Sequence, residues 1–324
     1  MTQSNQKVLV AMSGGVDSSV TAALLKNQGY DVIGVHMNLR DTNLANFGSR
    51  CCSPIDANDA RRVCDKINAP FYIINTEEVF RAKVIDYFIH EYLQSRTPNP
   101  CVECNNKIKF NYLFQKAEEL GCDLVATGHY AQVVQDTVSN SSRLFKAVDP
   151  QKDQSYFLFG LSQKALQKTL MPLGGIPKKM VRKLAEEFGL AVATKADSQE
   201  ICFIEDEGYK AFLETQVAPS LRPRGSVQTK DGTYIGEHDG LYRYTIGQRK
   251  GLQLTVKESE QYFVIGFDTK RHVLIVGSEK DLYQSALTAE KINWIRPPKG
   301  IQAFSCKAKF YRKKRSYRAY LEYI

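Results

Sequence analysis

The sequence predicts an α/β fold: a doubly wound parallel sheet, then a small, mostly helical central domain, then a C-terminal antiparallel β-barrel. Three observations carry that reading. Short apolar runs alternate with helical stripes through the first half of the chain, the pattern of buried parallel strands. Strand signals thin out between about 149 and 217. From about Arg222 short β runs take over, separated by Lys230-Asp231-Gly232, His238-Asp239-Gly240 and Asp268-Thr269-Lys270, which read as turns. The expected boundaries are 1–148, 149–217 and 218–324.

The first apolar run, Val8 to Met12, reads as a buried strand that enters Ser13-Gly14-Gly15-Val16-Asp17-Ser18-Ser19. Two glycines turn the chain and let its N–H groups converge. Ala22, Ala23, Leu24 and Leu25 then open an amphipathic helix that stops at Gly29. A helix N-terminus adds partial positive charge, and Ser13, Ser18 and Ser19 add hydroxyls. The stretch therefore forms an anion nest suited to phosphate. It lacks the Lys of G-x-x-x-x-G-K-S/T and the third glycine of G-x-G-x-x-G. Asp17 places an acid where an anion binds, which makes sense if a divalent metal bridges it to a pyrophosphate. An ordinary strand–turn–helix corner, with glycines for packing, is the bland alternative.

Asp31 to Leu39 reads as a second buried strand, and Arg40 to Cys52 as a loop. Ser53-Pro54 starts a helix with Ala60, Val63, Cys64 and Ile67 on one face. Phe71 to Ile74 is the third strand. Thr76 caps a helix carrying Val79, Phe80, Val84, Tyr87 and Phe88. After the Pro98-Asn99-Pro100 break a helix runs to Gly121, with Phe110, Leu113, Phe114 and Ala117 inward. Leu124 to Thr127 is the fourth strand, ending at Gly128-His129. Ligands of such sheets bind past the strand C-termini, where Ser13, Met37 and Gly128 fall. In the middle piece Met180, Leu184, Ala185 and Phe188 form one helical stripe, and Tyr209, Phe212 and Leu213 mark another.

At 324 residues and 43% hydrophobic, the chain has room for two or three cores. No apolar run reaches membrane-spanning length, and the first residues are polar. A cytoplasmic protein with no membrane partner is expected, its eight cysteines mostly reduced. The net charge of +9 is localised: residues 291–324 hold ten Lys or Arg against one acid, while the rest balance at 34 each. Trp294, Phe304, Phe310, Tyr311, Tyr317 and Tyr320 interleave the basic cluster. That suits RNA, or else a solvated face of a small sheet.

Cys101-x-x-Cys104 follows a rigid turn and precedes a helix with Lys107 and Lys109, a setting that lowers thiol pKa. Two small buried hydrophobes is the alternative, as assumed for Cys64, Cys122 and Cys306. A zinc half-site would need two further ligands, and no second C-x-x-C is present. Cys202 would be unremarkable by itself.

Ser13-Gly14-Gly15-Val16-Asp17-Ser18 resembles the pyrophosphate (PP) loop of ATP pyrophosphatases. Arg96-Thr97-Pro98-Asn99-Pro100-Cys101-Val102-Glu103-Cys104-Asn105 and Ser198-Gln199-Glu200-Ile201-Cys202-Phe203 narrow the resemblance to the tRNA-specific 2-thiouridylases, from residue 7 to about 312. It implies a PP-loop ATPase domain, a central tRNA-contacting domain and a β-barrel. It implies ATP and Mg²⁺ as cofactors, with Ala11, Met12, Ser13, Gly14, Gly15, Val16, Asp17, Ser18, Met37 and Gly128 at the nucleotide. It implies a persulfide on Cys202, with Cys104 as its nucleophilic partner and a disulfide able to close between them. Cys101 stands where many members carry an acid with a base-like role. Cys101, Cys104 and Cys202 are therefore also a candidate set for a 4Fe–4S cluster, and persulfide and cluster stay open. Asn99, Pro100, Cys101, His129, Lys152, Asp153, Gln154, Tyr311 and Arg312 match tRNA-contacting positions.

The implied reaction is adenylation of the wobble uridine (U34) at C2, then sulfur transfer to give 2-thiouridine, AMP and pyrophosphate. The implied partners are tRNA and a sulfur donor or relay protein. Family barrels run well beyond the position matching Arg312, so the resemblance implies that this barrel lacks its last strands. Two rivals remain at this point: a PP-loop ligase adenylating a small molecule, and a non-catalytic RNA-binding protein. The first leaves the three cysteines and the basic end unexplained; intact Gly14, Gly15 and Asp17 speak against the second.

Overall fold

The structure, a computed structural model, describes residues 6–39, 54–136, 138–197, 201–204, 208–255, 261–298, 300, 303–309 and, for the backbone, 317–322. The expected loop 40–52, the helix-starting Ser53, and Tyr311 and Arg312 lie outside the described residues.

A five-stranded, all-parallel sheet in the order β3-β2-β1-β4-β7 organises the first two thirds. Its strands are β1 (Lys7–Ala11), β2 (Asp31–Asn38), β3 (Phe71–Asn75), β4 (Leu124–Ala126) and β7 (Thr169–Leu170). β1 lies at the centre, with Val8, Leu9 and Val10 fully buried. Successive side chains point to opposite faces. Val8, Val10, Val32 and Ala126 enter one core, with α1 (Val16–Asn27), α2 (Pro54–Lys66) and α8 (Lys178–Glu187). Leu9, Ile33, Val35 and Val125 enter the other. That second core holds the rod formed by α3 (Glu77–Phe80), a π turn (Arg81–Ile85) and α4 (Asp86–Leu93), together with α6 (Tyr112–Glu119) and α9 (Gly208–Gln216). The sheet is thus wound on both faces. β3 is an edge strand, and Tyr72 and Ile73 stay about half exposed.

Thr76 stands at the N-cap of α3 without capping it; its hydroxyl donates to the Asn38 carbonyl at 2.9 Å. The expected single helix from Pro100 to Gly121 is three pieces: α5 (Pro100–Glu103), a π turn (Cys104–Lys109) and α6. Such π turns frequently mark functional sites.

The stretch 149–217 contributes to both cores. A hairpin of β5 (Ala131–Asp136) and β6 (Ser141–Lys146), which the sequence reading did not anticipate, precedes it. α7 (Gln163–Gln167) starts at Ser162, whose hydroxyl accepts from the Ala165 amide. β7 then adds to the sheet beside β4. α8 buries Val181 and Ala185 with α1, and α9 buries Phe212 and Leu213 in the opposite core.

The C-terminal part has a four-stranded sheet, β10-β11-β8-β9, from β8 (Gly225–Thr229), β9 (Tyr234–His238), β10 (Phe263–Asp268) and β11 (Val273–Gly277). The three expected turns fall between or after these strands. Pairing is antiparallel except for β8 with β11, which is parallel. Val227, Ile235, Val264, Leu274 and Val276 form its core. β12 (Ala303–Ala308) and β13 (Tyr317–Glu322) pair with each other in a separate antiparallel ribbon. Among the described residues no helix is long and apolar enough to cross a membrane.

Candidate active site

β1 hands the chain to the turn at Ser13. Gly14 has φ +74°, and a Cβ there would lie 2.2 Å from the Asp56 carbonyl oxygen on α2. Only glycine fits both the backbone and the space. Gly15, by contrast, takes an ordinary extended conformation at the N-cap of α1, and among the described residues its Cβ would meet only Ser13 Oγ, at 3.5 Å. No side chain caps α1, so its first amides have no helical acceptor and face the turn. Ser13 and Ser18 are linked by their hydroxyls at 3.2 Å, and the Ser13 amide donates to Ser18 Oγ at 3.1 Å. Ser19 was expected to offer its hydroxyl to the nest. It is fully buried and donates to the Gly15 carbonyl instead. Met12 and Val16 point into the core.

The turn after β4 lies directly on this helix start. A Cβ on Gly128 would be 2.8 Å from the Ser18 nitrogen, so backbone meets backbone there. β1 and β4 are neighbours while the chain leaves β1 toward β2 on the other side. That is the switch point at which ligands of such sheets bind.

Asp17 is not left open for a metal alone. Lys178 Nζ lies 2.7 and 2.8 Å from its two carboxylate oxygens, and the Tyr130 hydroxyl donates to Oδ1 at 2.7 Å. Lys178 also bridges to Asp197 at 2.8 Å, and Asp197 takes Lys152 at 2.7 Å and Arg182 at 2.8 Å. Burial opposes ionisation of Asp197, but Lys152 and Lys178 hold its carboxyl down to about 2. Burial and the neighbouring Asp17 push the Tyr130 phenol up, so it stays a donor. Lys195 ties the turn to α2: its Nζ donates to the Gly14 carbonyl at 3.0 Å, to Asp56 at 2.7 Å and to Asp59 at 2.6 Å. Burial works against that charge and the two acids outweigh it, raising the Lys195 pKa. Sequence reasoning missed Tyr130, Lys178, Lys195 and Asp197. Only Asp197 had a local signal, its place just before the Cys202 block.

The sulfur side is apolar. Asn99 caps α5, its side chain accepting from the Val102 amide, and Pro100 occupies the first turn and is buried. Glu91 and Arg96 form a two-pronged pair at 2.7 and 2.6 Å just before that cap. Cys101 is half-buried, and Cys104, 7% exposed, opens the π turn. Cys104 belongs to the second core, and Ile201, Cys202 and Phe203 pack against that same cluster. Phe203 sits edge-on to Phe80 and Phe88, with ring centroids 5.9 and 5.3 Å away, and 5.3 Å from Phe212. Met37 and Ala11 join the cluster at the C-terminal ends of β2 and β1, so it reaches the nucleotide turn. Lys195 and Asp197 are thus held at the turn, and Cys202 and Phe203 in the apolar cluster.

Other expected contacts have internal partners. His129 is 8% exposed, bonded through Nδ1 to Thr127 Oγ1 at 2.9 Å. Burial, then the charge of Lys109, holds its pKa well below the ordinary value, so the ring is neutral. Asp153 accepts from the Ala147 and Ser155 amides, and Gln154 clamps the Tyr130 backbone amide at 2.9 Å. Lys152 is a third exposed.

The turn fits ATP: an uncapped helix start, a glycine cradle and nearby cations. For Mg²⁺ it offers Asp17, whose oxygens are shared with Lys178 and Tyr130. Among the described residues no three His, Cys, Asp or Glu side chains are placed to hold a metal ion.

Comparison with known proteins agrees with this architecture. Residues 6–206 match the model of the tRNA methyl transferase HUP domain, and 210–278 that of the tRNA methyl transferase PRC-barrel domain. A tRNA-specific 2-thiouridylase MnmA of Geotalea uraniireducens (strain Rf4) is 49% identical over 311 residues, 94% of this chain and 82% of that protein. That of Clostridioides difficile (strain 630) is 47% identical over 292 residues, 90% of this chain and 80% of the relative. A solved 4-thiouridine synthetase–RNA complex with bound ATP is similar at 18% identity and a TM-score of 0.39, over 67% of this chain and 51% of that one. With a family model spanning more than half of its length and relatives of this identity and coverage, the chain belongs to the tRNA-specific 2-thiouridylase family.

Proposed function

We infer that this chain is an ATP-dependent tRNA sulfurtransferase that converts the wobble uridine to 2-thiouridine. The observation that carries the reading is a pair of anchors close in sequence, Lys195 with Asp197 at the turn and Cys202 with Phe203 in the apolar cluster. Lys195 ties to the Gly14 turn, and Cys202 packs on the cluster that contains Cys104. This supports a single site for nucleotide and sulfur chemistry past the C-terminal ends of β1 and β2.

In the proposed reaction the polyphosphate of ATP rests on the N-terminus of α1, among Ser13, Gly14, Gly15, Asp17 and Ser18. When bound with ATP, Mg²⁺ supplies charge neutralisation of the leaving pyrophosphate. The uridine O2 attacks the α-phosphorus and pyrophosphate departs. C2, now activated as an adenylate, is attacked by the terminal sulfur of a Cys202 persulfide, and AMP leaves. The Cys104 thiolate then attacks Cys202 Sγ. The sulfur–sulfur bond to the base breaks, the electron pair goes to the new thio group, and a Cys104–Cys202 disulfide remains. A thiol reductant and a persulfide donor, free or protein-bound, reset the pair. Reaching the turn requires the uridine to leave its stack. Asn99, Pro100 and Cys101 border the sulfur side where it would enter. His129, Lys152, Asp153 and Gln154, with Tyr311 and Arg312, are the further proposed tRNA contacts, and Met37 and Gly128 the proposed borders of the adenosine.

The test is nucleotide turnover with and without RNA. Unmodified tRNA should switch on formation of AMP and pyrophosphate. AMP formation of equal rate without RNA would favour the small-molecule ligase, and absence of ATP binding would favour a non-catalytic RNA-binding protein.

A further inference from the structure

Lys178 is a fixed cation, not a surface ammonium. It is the first residue of α8, whose Val181 and Ala185 are buried against α1. Its backbone amide is held by Asp149 at 3.0 Å, and the residue is only 8% exposed. An ammonium has three N–H donors. Those of Lys178 meet both oxygens of Asp17 and one oxygen of Asp197. Nothing in the family motifs marks it, because it lies 161 residues from Asp17.

The electrostatic consequence falls on the nucleotide turn. Asp17 is the second residue of α1, so its carboxylate sits at the helix end where a polyphosphate binds. Unpaired, it would oppose the anion. The linked group consists of Asp17, Asp197, Lys178, Lys152 and Arg182, two negative charges against three positive. Removing Lys178 leaves that group neutral and, among the described residues, leaves the Asp17 carboxylate with the Tyr130 hydroxyl.

We propose that Lys178 is a positioning residue of the nucleotide site: its ammonium cancels and orients Asp17, so that the start of α1 keeps the positive potential a polyphosphate needs. The inference rests on the adenylation reading above. Lys178 acts through Asp17 and need not touch the base, the tRNA or the sulfurs. It therefore separates one kinetic constant from the others.

The experiment is steady-state AMP formation with tRNA, for wild type and Lys178→Met, Lys178→Gln and Lys178→Arg, with circular dichroism of each chain. Lys178→Met and Lys178→Gln should raise the KM for ATP about tenfold or more, the loss of a charge-assisted contact, while the KM for tRNA moves less than about twofold. Lys178→Arg keeps the charge and a fork that suits a carboxylate, and should restore most of the ATP affinity. Folded Met and Gln chains with wild-type KM for ATP would overturn the proposal. Failure of both to fold would assign Lys178 to stability and overturn it too. If wild type itself formed no AMP with tRNA, the adenylation reading would fall instead.

Discussion

The two halves of the candidate site are built from opposite materials. The nucleotide turn is polar and held by charge: Asp17, Lys178, Asp197 and Lys195 fix its position through ion pairs of 2.6 to 2.8 Å. The sulfur side is apolar and held by shape, with Phe80, Phe88, Phe203 and Phe212 around the Cys202 segment and Cys104. On the proposed function, the difference follows from what each half would handle. A polyphosphate needs oriented donors and balanced charge. A persulfide needs a site that keeps water off a reactive sulfur and lets a second thiol reach it.

The contrast breaks most sharply at the cysteines. Cys202→Ala should abolish thiolation while ATP affinity, read by calorimetry, stays within about twofold, because the charged turn is untouched. Next come the paired glycines. Gly14→Ala forces a left-handed φ and a collision with Asp56, and should cost about 1–3 kcal/mol or more of stability by urea unfolding. Gly15→Ala meets no such obstacle and should stay within about 0.5 kcal/mol of wild type. Its methyl group enters the nest, so ATP affinity falls without a loss of fold. A stable Gly14→Ala would show that the turn is looser than described.

Phe203→Ala tests the apolar half by itself. Removing a half-buried ring with three aromatic neighbours should cost about 1–3 kcal/mol and slow sulfur transfer, with the KM for ATP unchanged. The smallest effect is at His129. Its folded-state pKa lies well below 6.5, so the unfolded chain takes up the proton first. Its contribution to stability is in place above pH 6.5 and declines as pH falls below that value. His129→Gln should flatten the pH dependence of the unfolding midpoint between 6.5 and about 5. An unchanged slope would mean that the ring is not buried as a neutral imidazole.

Much of the polar half was legible because its signals are local. Glycine, serine and acid stand within seven residues between an apolar strand and a helical stripe, and each has a direct steric or electrostatic meaning. Lys178 and Lys195 were not legible, because they pair with Asp17 and Gly14 across 161 and 181 residues. A lysine at the start of a helix looks like any solvated charge. In the apolar half the cysteine spacing was visible, but only the family resemblance lifted Cys202 above the background. The fold shows the same division. Strands with continuous apolar runs, β1 and β2, stand out in the sequence. The two residues of β7 are too short for any period, and the parallel pairing of β8 with β11 is decided by tertiary contacts. The β5–β6 hairpin escaped because its strands mix polar and apolar residues and show no regular alternation of buried and exposed positions.

In the proposed function, ATP chemistry and cysteine chemistry act on one uridine. The most direct test is mass spectrometry of unmodified tRNA after incubation with ATP, Mg²⁺ and a persulfide donor, using wild type and Cys202→Ala. One oxygen-to-sulfur exchange at the wobble uridine, made by wild type and absent with the variant, is the predicted result. Full thiolation by Cys202→Ala, or AMP release from wild type with the tRNA mass unchanged, would contradict the account.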